Sequence, residues 1–102
     1  MSKISEIFVL KMKDTDQLDA IRETARKDFV SIEGVSSWET LVSTDTSRPT
    51  LYTEIFTFPD HATAKKVTPM FAERPATQAF LGQIDEIIVG QFFTTHTPKV
   101  EE

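Results

Sequence analysis

Glu54, His61 and a group of aromatic side chains are the residues of this chain whose types and spacing could support chemistry. Glu54 stands in an alternating run from Leu51 to Phe58, on the same strand face as Tyr52 and Phe56. A carboxylate there is either buried with a shifted pKa or paired with a cation such as Arg74 or Lys65. An ion pair tying the strand to a helix or a partner subunit is the simpler alternative, because buried charges are usually paired. His61 could act as an acid or base near neutral pH. Its place just after Pro59 and Asp60 also suits an exposed residue in the first turn of a helix.

Trp38 and Tyr52 fall on neighbouring strands of a hairpin. With Phe56 they could flank an aromatic ligand, or serve as ordinary core or interface. Met70 and Phe71 lie at a break in a helix, where they could form a pocket mouth or simply pack. Arg74, ahead of Pro75, could bind an anionic group or act as a surface or capping residue. These residues describe a site for a small hydrophobic or aromatic molecule, in which Glu54 or His61 moves a proton while the rings hold the ligand. The alternative is a dimeric module that binds a small molecule, or merely assembles, without catalysis.

His61 and His96 are not at metal-ligand spacing, and no His-x-x-x-His or Glu-x-x-His pattern occurs, so no metal site is expected. Three glycines cannot build a phosphate-cradling loop. No cofactor is expected. Any oxidation would then be cofactor-independent and proceed through a substrate carbanion.

The 102 residues suffice for one domain and not two, so residues 1–102 are read as a single domain. A lone domain of that size buries only roughly 60–68% of its unfolded surface, so pairing with a second copy would help. The net charge of −5, with Lys and Arg scattered, argues against a nucleic-acid partner and against an anionic membrane surface. No apolar run approaches the length of a membrane span, and the start of the chain lacks a signal-peptide core. The absence of cysteine fits a reducing cytoplasm.

The elements that must position these residues follow from periodicity. Ile4 to Met12 reads as a strand with both faces largely apolar at its middle. Leu18, Ile21, Ala25, Phe29 and Ile32 recur at helical spacing over Asp16 to Ser31, with Arg22, Arg26 and their charged neighbours on the solvated side. Glu33-Gly34 stops that helix. Val35 to Ser43 and the run ending at Phe58 form a hairpin across the polar turn Thr44 to Pro49. A second helix starts near Asp60. Pro69 interrupts it, and Pro75 is a further breaker before short helical turns that direct Phe71, Ala76, Ala79 and Phe80 inward. Ile84 to Thr95 is a fourth strand, with Ile87, Val89, Gln91 and Phe93 opposite Ile84, Ile88 and Phe92. The tail from Thr97 to Glu102 is polar and frayed.

The order strand, helix, strand, strand, helix, strand predicts an α+β, ferredoxin-like βαββαβ fold, a four-stranded antiparallel sheet with its helices on one face. The strands carry apolar residues on both faces. A second copy packing sheet on sheet would cover the other face, giving a homodimer with a barrel-like centre.

In this order the chain resembles the dimeric α/β-barrel superfamily, and within it the antibiotic-biosynthesis-monooxygenase type of domain. Members often show a Glu-x-aromatic strand end, a helix with a histidine, and then Ser-Pro-His-Phe and a further aromatic. Here Glu54-Ile55-Phe56, the helix from Asp60, Thr68-Pro69-Met70-Phe71 and the stretch Ala76 to Phe80 take those places. The resemblance implies cofactor-independent oxidation of quinol-type substrates, as some members perform. Lys65 and Met70 stand where histidines often stand, and His61 comes one turn too early. The chain has no Asn, which sets it apart from the haem-degrading branch with its Asn, Trp and His.

Overall fold

The computed structural model describes residues 3–100. The extreme ends of the N-terminal segment and of the polar tail, read above, lie outside the described residues. In chain order the elements are β1 (Ile4–Met12), α1 (Leu18–Val30), β2 (Ser37–Val42), β3 (Tyr52–Phe58), α2 (His61–Val67), a 3₁₀ turn over Thr68–Ala72, α3 (Pro75–Leu81) and β4 (Ile84–Phe93). The four strands form one sheet in the order β2-β3-β1-β4, with every neighbouring pair antiparallel. This is the ferredoxin-like arrangement expected from the element order.

Cross-strand register decides which residues share a face. Phe8 pairs with Glu54, Glu6 with Phe56 and Leu10 with Tyr52, while Trp38 pairs with Phe56 and Thr40 with Glu54. One face of the sheet therefore carries Ile4, Glu6, Phe8, Leu10, Trp38, Thr40, Glu54, Phe56 and Phe58. It packs on the buried sides of the helices, contributed by Ala25 and Phe29 of α1, Ala64 and Val67 of α2 and Phe80 of α3. The opposite face carries Ile7, Val9, Ile55 and Val89.

Four local expectations are corrected. Helix α1 starts at Leu18 rather than Asp16, with Gln17 preceding it and its backbone N–H donating to Thr15 Oγ1 at 3.0 Å. Arg22, expected in solvent, is buried in the row Leu18, Arg22, Ala25 and Phe29 that faces the sheet. Pro75 starts α3 instead of breaking a helix. An N-terminal proline lacks only an N–H that has no intrahelical partner there. Thr77, rather than Ala79, is the buried companion of Phe80.

Strand β4 departs furthest from simple alternation. Its register against β1 shifts twice, so Val9 faces Val89 but Leu10 faces Ile87, and Met12 faces Ile84. Each irregularity inserts one residue and turns the strand over. Ile87 thereby joins Ile84 and Phe92 on the helix side, instead of lying opposite them.

Gly34 closes the α1–β2 connection at φ +102°, and a Cβ there would come within 2.6 Å of the Thr63 side chain. The left-handed turn and the close approach of α2 both demand glycine. Helix α2 begins at an Asp60 cap whose Oδ1 accepts the Thr63 backbone N–H at 2.7 Å. That bond holds the Asp60 carboxyl below its usual range. Among the described residues no helix is long and apolar enough to cross a membrane.

Candidate functional site

Alternation on β3 puts Glu54 in the core, and the chain satisfies it completely. Its carboxylate is 0% exposed and Arg22 only 5%. Arg22 donates from Nε at 3.2 Å and from a terminal nitrogen at 3.0 Å, both to Oε2. Trp38 Nε1 donates to Oε1 at 2.8 Å, and Thr40 Oγ1 to the same atom at 2.6 Å. Four donors fill the lone-pair capacity of a carboxylate. The Arg22 guanidinium also lies 4.7 Å from the Tyr52 ring centre. The cation expected from Arg74 or Lys65 is therefore Arg22. Arg74 instead grips Asp28 on α1, with bonds of 2.6 and 2.8 Å that hold the Asp28 carboxyl below its usual range and raise the Arg74 value.

Above this network lies an aromatic cluster. The Trp38 ring centre is 4.7 Å from Phe56, 5.2 Å from Phe80 and 5.6 Å from Phe71, while Phe29 is 5.0 Å from Phe71. The rings do not fill the space between sheet and helices. A cavity of about 330 Å³ remains, within the range of small-ligand sites. Phe8, Phe29, Phe56, Phe71 and Phe80 line it. Leu10, Ile84 and Ile87 form its strand side, Thr68, Pro69 and Ala72 of the 3₁₀ turn one wall, and Leu81 of α3 its edge. Gly90 helps to place Phe8, since a Cβ there would sit 2.9 Å from the Phe8 ring. Phe71 is held from behind, its carbonyl accepting the hydroxyl of buried Thr77.

Among the described residues one titratable side chain lines the cavity, and it is Glu6. It is half-buried on β1, opposite Phe56 on one neighbour and Phe92 on the other. Burial pushes its carboxyl above the usual carboxylate value. The single cause is desolvation, with no charge or hydrogen bond to oppose it. Sequence reasoning passed over Glu6, although a signal existed: it is the one charged residue in the inward series Ile4, Glu6, Phe8, Leu10, Met12.

The structure thus brings together only part of the expected site. Phe56 and Phe71 line the cavity, and Trp38 backs their rings. Tyr52 faces a separate polar cleft with Lys11, Asp14, Asp19 and Asp85. Met70 is half-buried but is not part of the cavity wall, and neither is Arg74. His61 is the exposed first residue of α2, its ring edge-on to Phe92 with centres 5.2 Å apart. Neither His61 nor Glu54 reaches the cavity. Among the described residues no group of three His, Asp or Glu side chains could hold a metal.

No family model and no curated protein matches this sequence. Solved structures do. A dabb family protein with a ferredoxin-like fold from Mesorhizobium loti superposes with a TM-score of 0.70 at 15% identity, covering 95% of this chain and 100% of that one. A hydroxynitrile lyase from Passiflora edulis gives 0.71 at 15%, covering 96% and 97%. SnoaB, a cofactor-independent oxygenase from Streptomyces nogalater, gives 0.63 at 10%, covering 98% and 97%. A lyase and an oxygenase on one backbone show how little the fold says about chemistry. At these identities the likeness shows the fold, and it is the ferredoxin-like fold that the element order and the resemblance to dimeric α/β-barrel domains implied.

Proposed function

We propose that this protein binds a small hydrophobic molecule of aromatic size in the cavity between sheet and helices, with Glu6 as its polar anchor. The observation that carries the reading is a half-buried carboxyl, unpaired among the described residues, in a cavity otherwise walled by five phenylalanines, aliphatic side chains and Thr68. Apolar walls with a small number of polar groups are the usual composition of a small-molecule site. Glu54 and His61, expected to move a proton, lie away from the cavity, and this reading gives the polar role to Glu6 instead.

Titration with indole, followed by amide resonances, tests it. Saturable shifts at Phe8, Phe71 and Leu81, abolished by Ala72→Phe, are the expected result. Shifts elsewhere, or shifts that survive the filled cavity, would remove the site.

A second reading is catalytic. A desolvated carboxyl with a raised pKa suits proton transfer, and SnoaB is a cofactor-independent oxygenase on the same fold. In such a reaction Glu6 would take a proton from a quinol. Dioxygen would accept two electrons and two protons as hydrogen peroxide, leaving the quinone. Oxygen uptake with naphthohydroquinone separates the readings: uptake lost in Glu6→Gln supports catalysis, and none in the wild type leaves binding alone.

We also propose that two copies pair through the outer sheet face. Ile7, Val9, Ile55 and Val89 lie there, and Leu41 and Phe93 nearby are 49% and 39% exposed. Apolar surface of this kind marks an interaction site.

A further inference from the structure

The chain treats its two inward glutamates in opposite ways. Glu54 receives four hydrogen bonds, two of them from a guanidinium. Glu6 shares the same sheet face yet receives no side-chain hydrogen bond and no ion pair among the described residues. Among the described residues no Lys, Arg or His side chain lines the cavity it borders. A carboxylate partly drawn out of water gains from a compensating partner, and among the described residues Glu54 has one and Glu6 has none. A cationic ligand would supply that charge.

The rest of the cavity agrees. An aromatic ring presents a negative face that attracts an ammonium, more strongly where water is excluded. Five phenylalanines surround a cavity whose one ionisable group among the described residues is an acid. An anionic ligand would meet a like charge and no cation. A neutral alcohol could give Glu6 one hydrogen bond but would leave its charge uncompensated. About 330 Å³ has room for one ring and a short chain.

From this arrangement we infer that the cavity takes a monocationic arylalkyl amine, its ammonium against the Glu6 carboxylate and its ring among the phenylalanines. The inference rests on the small-molecule reading of the cavity given above and narrows it to one class of ligand.

Three probes of nearly one shape test it: phenethylamine, phenethyl alcohol and hydrocinnamate. They are titrated into the wild-type protein and into Glu6→Gln at neutral pH and low salt, by calorimetry and amide resonances. The amine is expected to bind the wild type about tenfold more tightly than the alcohol, a margin of about 1.4 kcal/mol, and hydrocinnamate not measurably. In Glu6→Gln the amine is expected to fall to the level of the alcohol measured in the same variant. An alcohol that binds the wild type as tightly as the amine overturns the inference. So does an amine preference that survives Glu6→Gln. Should that variant fail to fold, the wild-type series decides alone. If indole occupies the cavity and phenethylamine does not, the ligand class is wrong while the cavity reading stands; if neither enters, both fall.

Discussion

At the scale of single residues, Glu6 and Glu54 show how one residue type in one pattern meets two fates. Each sits among apolar neighbours on the inner face of a central strand. Glu54 is met by four donors, two of them from the Arg22 guanidinium, whereas Glu6 is only desolvated. Desolvation raises the folded-state pKa of Glu6 above the unfolded value, so the folded protein binds its proton more tightly. Ionisation of Glu6 therefore destabilises the fold: the penalty is absent at pH below the ordinary carboxylate value of 4.5, grows above it, and is complete once pH exceeds the raised value. Glu6→Gln is expected to be more stable than the wild type at neutral pH, with the gap closing on acidification. Urea unfolding at a series of pH values checks this, and a variant less stable at neutral pH would contradict it. The inward position of Glu6 was legible from alternation alone. Its lack of a partner was not, because that depends on what every other strand and helix brings to the cavity.

At the scale of elements, the Arg22–Glu54 contact fastens α1 to β3, and Trp38 and Thr40 add β2 to the same carboxylate. Removing one partner strands the other charge in the core. Glu54→Leu or Arg22→Met is expected to lose about 3–5 kcal/mol. The double variant should recover much of that loss, because two apolar side chains of similar size replace the pair without an orphaned charge. Urea midpoints of the four proteins give the coupling directly; additive losses would show that the pair does not act as a unit. Helix and strand periods told which segments would be helix and strand, since each period repeats over a few residues. They misplaced Arg22, because a long charged side chain reads as solvated until a buried carboxylate 32 residues away is seen to meet it. They misplaced Ile87 as well, because a bulge is set by pairing with β1 and leaves no mark in the alternation of β4 itself.

At the scale of the whole molecule, the sheet has helices on one side and, on the other, an outer face with Ile7, Val9, Ile55 and Val89 at its centre. Burying that face against its copy would satisfy both chains through one self-complementary patch. Sedimentation at micromolar concentration is expected to give twice the chain mass, and the paired charges of Val9→Lys with Ile55→Lys to give a folded monomer. A wild-type monomer would sink the sheet-on-sheet model. The sequence by itself determined the element order, the two-sided character of the strands and hence the ferredoxin-like fold, because those follow from local hydrophobic periods and turn residues. Only the tertiary structure decided where the cavity lies and what lines it. Which carboxylate is paired and which is left facing a cavity depends on strand register and helix placement, and these join residues tens of positions apart through contacts that no local period encodes.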